Sequence, residues 1–218
     1  MADQRLATRR ATGLAGLGAA ALFIVGNALW AFDQPDAGAP AREVVTFYAD
    51  TSTWIIIGGS LSLFSIALFV LFASGVRSIL REHEGDDLFA TVAFGGALLL
   101  LAAGLAAETI NMVGAMRADD GQLSPELGRA LFEISYVFGY NGAGVGIGIF
   151  LLATAAVALR GSAFLPRWAA LILLAVGLAF MTPLSRVLLG PAVLLLVAVS
   201  IRLLGTSPPA PQPDPRRR

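Results

Sequence analysis

Six runs of apolar residues, each approaching the width of a bilayer, constrain this chain more than any motif it carries. A hydrocarbon core about 30 Å thick is crossed by roughly 20 apolar residues, each rising 1.5 Å along a helix. The runs extend from Gly13 to Phe32, Trp54 to Val76, Leu88 to Ala107, Leu131 to Leu159, Trp168 to Pro183 and Val187 to Ile201. None alternates with period two, which argues against barrel strands. Apolar residues surround each predicted helix, as lipid exposure requires. The predicted fold is all-α: a polytopic membrane bundle of six transmembrane helices over residues 1–204. The last two runs are separated only by Leu184–Ser185–Arg186, so they form one tight helical hairpin. A disordered tail is predicted over 205–218, where Pro208, Pro209, Pro211, Pro213 and Pro215 favour extended backbone. Its Pro208-x-x-Pro211 reads as plain cytoplasmic tail rather than a docking ligand.

Charge supplies the orientation. Only 14% of the 218 residues are charged, against about 25% in a soluble domain. The 15 basic residues are all Arg and 15 acids balance them. With the N-terminus inside, the inner segments carry Arg5, Arg9, Arg10, Arg77, Arg81, Arg160, Arg167, Arg202 and Arg216 to Arg218. The outer segments carry only Arg42, Arg117, Arg129 and Arg186, and they gather acids such as Asp33, Asp36, Glu43, Asp119 and Asp120. Both termini are therefore predicted to be cytoplasmic, in the plasma (inner) membrane of a bacterium. Arg9–Arg10 before the first run fits this rule better than a signal peptide or a twin-arginine signal, because five further runs follow.

The residues that are missing exclude much chemistry. The chain has no Cys, so disulfides, reactive thiols, Fe–S clusters and Cys-bound zinc are excluded. It also has no Lys, which excludes Schiff-base cofactors and a phosphate-loop lysine. The lone His83 sits in Arg81–Glu82–His83–Glu84–Gly85–Asp86–Asp87, read as a solvated charged link rather than a metal or proton site. Neither Asp86–Asp87 nor Asp119–Asp120 continues into a magnesium-binding D-D-x-x-D. No cofactor and no metal are expected, and a balanced charge gives no nucleic-acid footprint.

Polar residues gather near the outer ends of the runs. Glu108 lies 21 residues beyond Asp87, about 31 Å at helical rise. Asn141 lies 19 residues before Arg160, about 28 Å up the fourth run. Glu108, Asn111, Tyr140 and Asn141 thus share a level, and Glu133, Tyr136 and Tyr140 recur on one helix face. The final hairpin allows only 15 or 16 residues per helix, roughly 23 Å each. Arg186 at its turn is thereby drawn toward an acid. The expectation is an ion pair from Arg186 to Glu108 or Glu133, flooring an outward-facing polar pocket lined by Asn111, Tyr136, Tyr140 and Asn141. The alternative is a set of interfacial caps, with Arg186 snorkelling to phosphate.

Gly139, Gly142, Gly144, Gly146 and Gly148 crowd the fourth run, and Gly142/Gly146 and Gly144/Gly148 form two G-x-x-x-G pairs on adjoining faces. Such pairs let another backbone approach closely. Packing inside the bundle is expected, with a homodimer through the same helix or a transport hinge as alternatives. Ser60, Ser62 and Ser65 are expected to bond their own helix backbone.

The stretch Gly161–Ser162–Ala163–Phe164–Leu165–Pro166–Arg167–Trp168, with Tyr140–Asn141–Gly142, resembles a group of small multipass bacterial proteins of unknown function. Their late helices are joined by a Gly-x-x-Leu-Pro-Arg connector, and the resemblance covers roughly residues 130 to 182. It implies a bacterial multipass membrane fold and transfers no catalytic residue. The expected function is non-enzymatic: an integral membrane protein whose partners are the bilayer and a small or lipid-like molecule. A transporter or channel component is one alternative, and an intramembrane enzyme using Glu108 and Glu133 as acid and base is another.

Overall fold

The apolar runs are helical over most of their length, and local chemistry sets the helix ends. A computed structural model describes residues 2–160, 165–182 and 184–205, without the side chains of residues 2–5 and 186. Helix α1 spans Ala2–Ala28, α2 Ala41–Glu84, α3 Leu88–Asp119, α4 Pro125–Tyr136, α5 Ala143–Leu159, α6 Arg167–Phe180 and α7 Ser185–Leu204. Gly85 ends α2 in the left-handed region, with φ of 81°. Glu84 then turns back to accept the backbone N–H groups of Phe89 (2.5 Å) and Ala90 (2.8 Å), closing the otherwise open start of α3. Ser124 caps α4 by accepting from the Leu127 N–H, and Pro125 occupies its first turn.

Among the described residues five helices, counting α4 and α5 as one continuous stretch, are long and apolar enough to cross a membrane, and the shorter apolar α6 accompanies them. Helix α6 has 14 residues, about 21 Å, and falls short of a full hydrocarbon core. Two helices greatly exceed their apolar runs: α2 has 44 residues and α3 has 32. At about 66 and 48 Å they overshoot any single crossing. The overshoot is held by packing. Val44, Phe47 and Tyr48 of α2, Ala115 of α3, Leu123 of the link before α4, Phe132 of α4, and Trp30 share one buried cluster. The fourth run is therefore two helices in line, α4 and α5, joined by a π-helical turn over Val137–Gly142.

Glycine contacts fix the register. A Cβ added at Gly146 would collide with the Leu100 backbone nitrogen, which brings α5 against α3. One at Gly148 would lie 2.9 Å from the Gly177 carbonyl oxygen, which brings α5 against α6. The two G-x-x-x-G pairs thus serve two neighbours: Gly142 and Gly146 face α3, and Gly144 and Gly148 face α6 and the start of α7. Helix α7 then returns to pack on α1, where Ser200 and Leu204 meet Gly13.

The helices form a ring in the order α7, α1, α2, α3, α5, α6, and its two ends, α6 and α7, barely touch. Arg9, Arg77, Arg81, Arg160 and Arg202 gather at one end of the ring. There Asp87 accepts from Arg77 (3.0 Å) and forms an ion pair with Arg81 (2.9 Å), and Arg160 stands 4.0 Å from Asp86 and over the Phe89 ring. The start of α1 and the end of α7 both lie at this arginine end. The proline-rich tail from residue 206 onward lies outside the described residues.

Candidate functional site

The loose seam between α6 and α7 borders a chamber of about 420 Å³. Its wall takes residues from α1, α2, α3, α5, α6 and α7, and most are aliphatic or aromatic: Phe23, Ile66, Phe69, Leu101, Phe150, Leu173 and Leu196 among them. Arg9, His83 and Arg202 line it at the arginine end, and Glu108 lines it at the other. Gly26, at the Glu108 level, lies 17 residues beyond Arg9 on α1, so the chamber extends about 25 Å along the bundle.

Glu108 faces Gly59 on the neighbouring helix α2. A Cβ on Gly59 would crowd Met112 (2.9 Å) and stand at ordinary contact, 3.5 Å, from Glu108 Oε2. Gly59 is five residues inward of Trp54, about 8 Å, and Glu108 is therefore set inside the apolar zone. It is only 9% exposed. The Ser62 hydroxyl approaches it. Among the described residues, however, neither Ser62 Oγ nor Glu108 Oε2 completes a hydrogen bond. An unpaired buried carboxylate is costly, and this one faces open space.

The three α2 serines behave differently from one another. Ser60 donates to the Ile56 carbonyl of its own helix at 2.8 Å, as expected. Ser65 instead donates across to the Ala19 carbonyl of α1 at 2.7 Å, and Ser62 has no bond among the described residues. The cause is the close α1–α2 approach at Gly26 and Gly58, which brings a second backbone within reach.

The other polar residues singled out in the sequence form a separate group. Asn111 is buried, and its Oδ1 accepts from Tyr48 Oη (3.0 Å) and Ser135 Oγ (2.8 Å). Tyr136 packs on Tyr140, ring centroids 4.5 Å apart, and on Phe132. Glu133 is exposed and accepts from Arg129 Nε at 2.7 Å. Asn141 is exposed on the π-helical turn. Of the seven candidate ligand-binding residues, only Glu108 lines the chamber; Asn111, Glu133, Tyr136, Tyr140 and Asn141 do not. The Arg186 side chain lies outside the described residues, and so does the ion pair expected from it. Glu108 lines the chamber and Glu133, paired with Arg129, does not.

Sequence reasoning missed Arg9, His83, Arg202 and Gly104 as chamber residues, and Tyr48 and Ser135 as partners of Asn111. His83 is in the last turn of α2, not in a free link, with Nδ1 2.8 Å from the Ile79 carbonyl oxygen. No group of three or more His, Cys, Asp or Glu able to hold a metal occurs among the described residues.

No family model matches this chain. No curated protein and no solved structure matches it either. The connector residues 161–164 lie outside the described residues, and this chain sets three residues between Gly161 and Leu165 rather than two.

Proposed function

We propose that the chain is a six-span bacterial inner-membrane protein with both termini in the cytoplasm, and that it holds a lipid-like molecule without chemically changing it. The observation that carries this reading is the chamber: about 420 Å³, walled mainly by apolar side chains, beside a seam where consecutive helices barely touch. The volume falls in the range of small-molecule sites, about 300–1,000 Å³. An apolar ligand gains about 0.8 kcal/mol for each CH₂ it buries in competition with water, and reaches such a space directly from the bilayer through the seam.

The orientation is supported by the arginines at the end shared by α1 and α7. Six spans follow if α6 crosses with local thinning of the bilayer, the usual response to a short helix. Self-association has no part in this reading, because both glycine faces of α5 already pack within the chain. The proposed site is also an internal chamber rather than an outward polar pocket, with Glu108 at the end away from the arginines.

Gly104 offers a clean test. It lines the chamber, and a Cβ there would meet only Ile66 Cδ1, at 3.9 Å. Gly104→Phe therefore fills the space and leaves the helix contacts alone. Native mass spectrometry of the protein extracted in mild detergent should show a lipid-sized adduct on the wild type that Gly104→Phe lacks. Identical, adduct-free masses for both proteins would reject the reading.

A further inference from the structure

The chamber has two unlike ends, and the arginine end restricts what kind of molecule it takes. We infer that its ligand is a single-chain amphiphile with an anionic headgroup, held by Arg9 and Arg202, with the chain running toward Glu108. This rests on the chamber being a lipid site and adds the ligand's class and direction.

Two guanidiniums from opposite ends of the sequence line one cavity mouth. They are brought together by the packing of α7 on α1, where Ser200 and Leu204 meet Gly13, one turn above Arg9. The acids nearby are already committed. Asp87 accepts from Arg77 and pairs with Arg81, Asp86 faces Arg160, and Glu84 caps the start of α3. Glu82 approaches Arg9 at 3.4 Å, with both side chains about one-third exposed (32% and 30%). That contact uses one of the five N–H donors of a guanidinium. Arg202 makes no ion pair among the described residues.

Above this mouth the wall carries no further charge until Glu108, so an anion that enters must stop at the arginines. What lies beyond suits hydrocarbon: Phe69, Phe72, Phe150 and Leu196 continue the wall. A headgroup alone would leave a channel about 25 Å deep unfilled. A neutral lipid would leave the two guanidiniums without an anion to accept from them. A fatty acid or a lysophospholipid satisfies both ends of the requirement through the same chemistry, an anion on one chain.

The full-length protein, stripped of lipid in detergent, would be titrated at neutral pH with oleate, lysophosphatidylglycerol, oleyl alcohol and inorganic phosphate, with binding read by native mass spectrometry. Oleate or lysophosphatidylglycerol should bind about tenfold more tightly than oleyl alcohol, the usual size of a charge-assisted contact. The tighter of the two identifies the headgroup. The double variant Arg9→Gln with Arg202→Gln should lose that preference and keep its affinity for oleyl alcohol. Equal binding of the anionic and neutral chains by the wild type would overturn the inference while leaving the lipid chamber intact, and this comparison needs no variant to fold. Phosphate binding as tightly as the amphiphiles would also overturn it, by showing a plain anion site. Failure of every amphiphile to bind would reject the lipid chamber itself.

Discussion

Asn111 and Glu108 stand one turn apart on α3, both buried, and their surroundings are opposite. Asn111 sits in the aromatic end, where Tyr48 and Ser135 both donate to its Oδ1 and the rings of Phe47, Phe132 and Tyr136 close around them. Glu108 sits three residues inward, beside a chamber, with its Oε2 unbonded among the described residues. Burial is the same, at 8% and 9% exposed. The difference is what each group faces. A buried polar group with its bonds complete fixes one packing, whereas one left unpaired beside open space has no such structural role. Inspection for buried polarity alone would rank the two equally, and only the accounting of their partners separates a structural knot from a site.

The contrast can be broken first at the knot. Asn111→Leu leaves the Tyr48 hydroxyl without its acceptor, while Ser135 keeps the Phe132 carbonyl, and should cost roughly 1–3 kcal/mol. Thermal unfolding in detergent would show it as a lowered midpoint. The same experiment on Glu108→Leu should move the other way, raising stability by roughly 1–3 kcal/mol because an unpaired buried carboxylate is removed. If both substitutions destabilise alike, the two positions are not different in kind.

A smaller effect on stability is expected from Gly104→Phe. Helix propensity favours the change by roughly 0.5 kcal/mol, and the new ring enters empty space, so the unfolding midpoint should hardly move while bound lipid is lost. The smallest effect belongs to the exposed pair Arg129–Glu133. Arg129→Ala should cost less than about 0.5 kcal/mol, as for an ordinary i,i+4 pair at a helix surface. A large loss there would show that the aromatic end depends on its rim as well as on the Asn111 knot.

Much of the fold was legible because it depends on local properties. Length and apolar content place the helices, Arg marks one end, and α7 follows α6 after a short link. The glycine spacing in the fourth run announced two packing faces, and α3 and α6 occupy them. What could not be read was adjacency. A short link suggests that α6 and α7 pack as a hairpin, yet each finds its main partner elsewhere, on α5 and α1, and the chamber lies between them. Arg9 and Arg202 are separated by almost the whole chain, so no spacing rule connects them. Glu108 was recognisable as an acid in an apolar run, but its neighbours Gly59 and Ser62 come from another helix. The overshoot of α2 was hidden for a similar reason: residues 41–53 are too polar to read as a span, and it is Phe47 and Tyr48 packing on α4 that orders them.

The central claim is that an amphiphile lies inside the ring, between α6 and α7, rather than only around it. Photolabelling tests it most directly. The membrane-embedded protein would be irradiated with a diazirine-bearing fatty acid and the labelled residues mapped by peptide sequencing. Label should appear at chamber residues such as Leu101, Phe150 and Leu196 and disappear under excess unlabelled oleate, while the exposed Leu71 and Leu171 label without competition. Label confined to Leu71, Leu171 and the rest of the outer surface, with the chamber residues untouched, would contradict it.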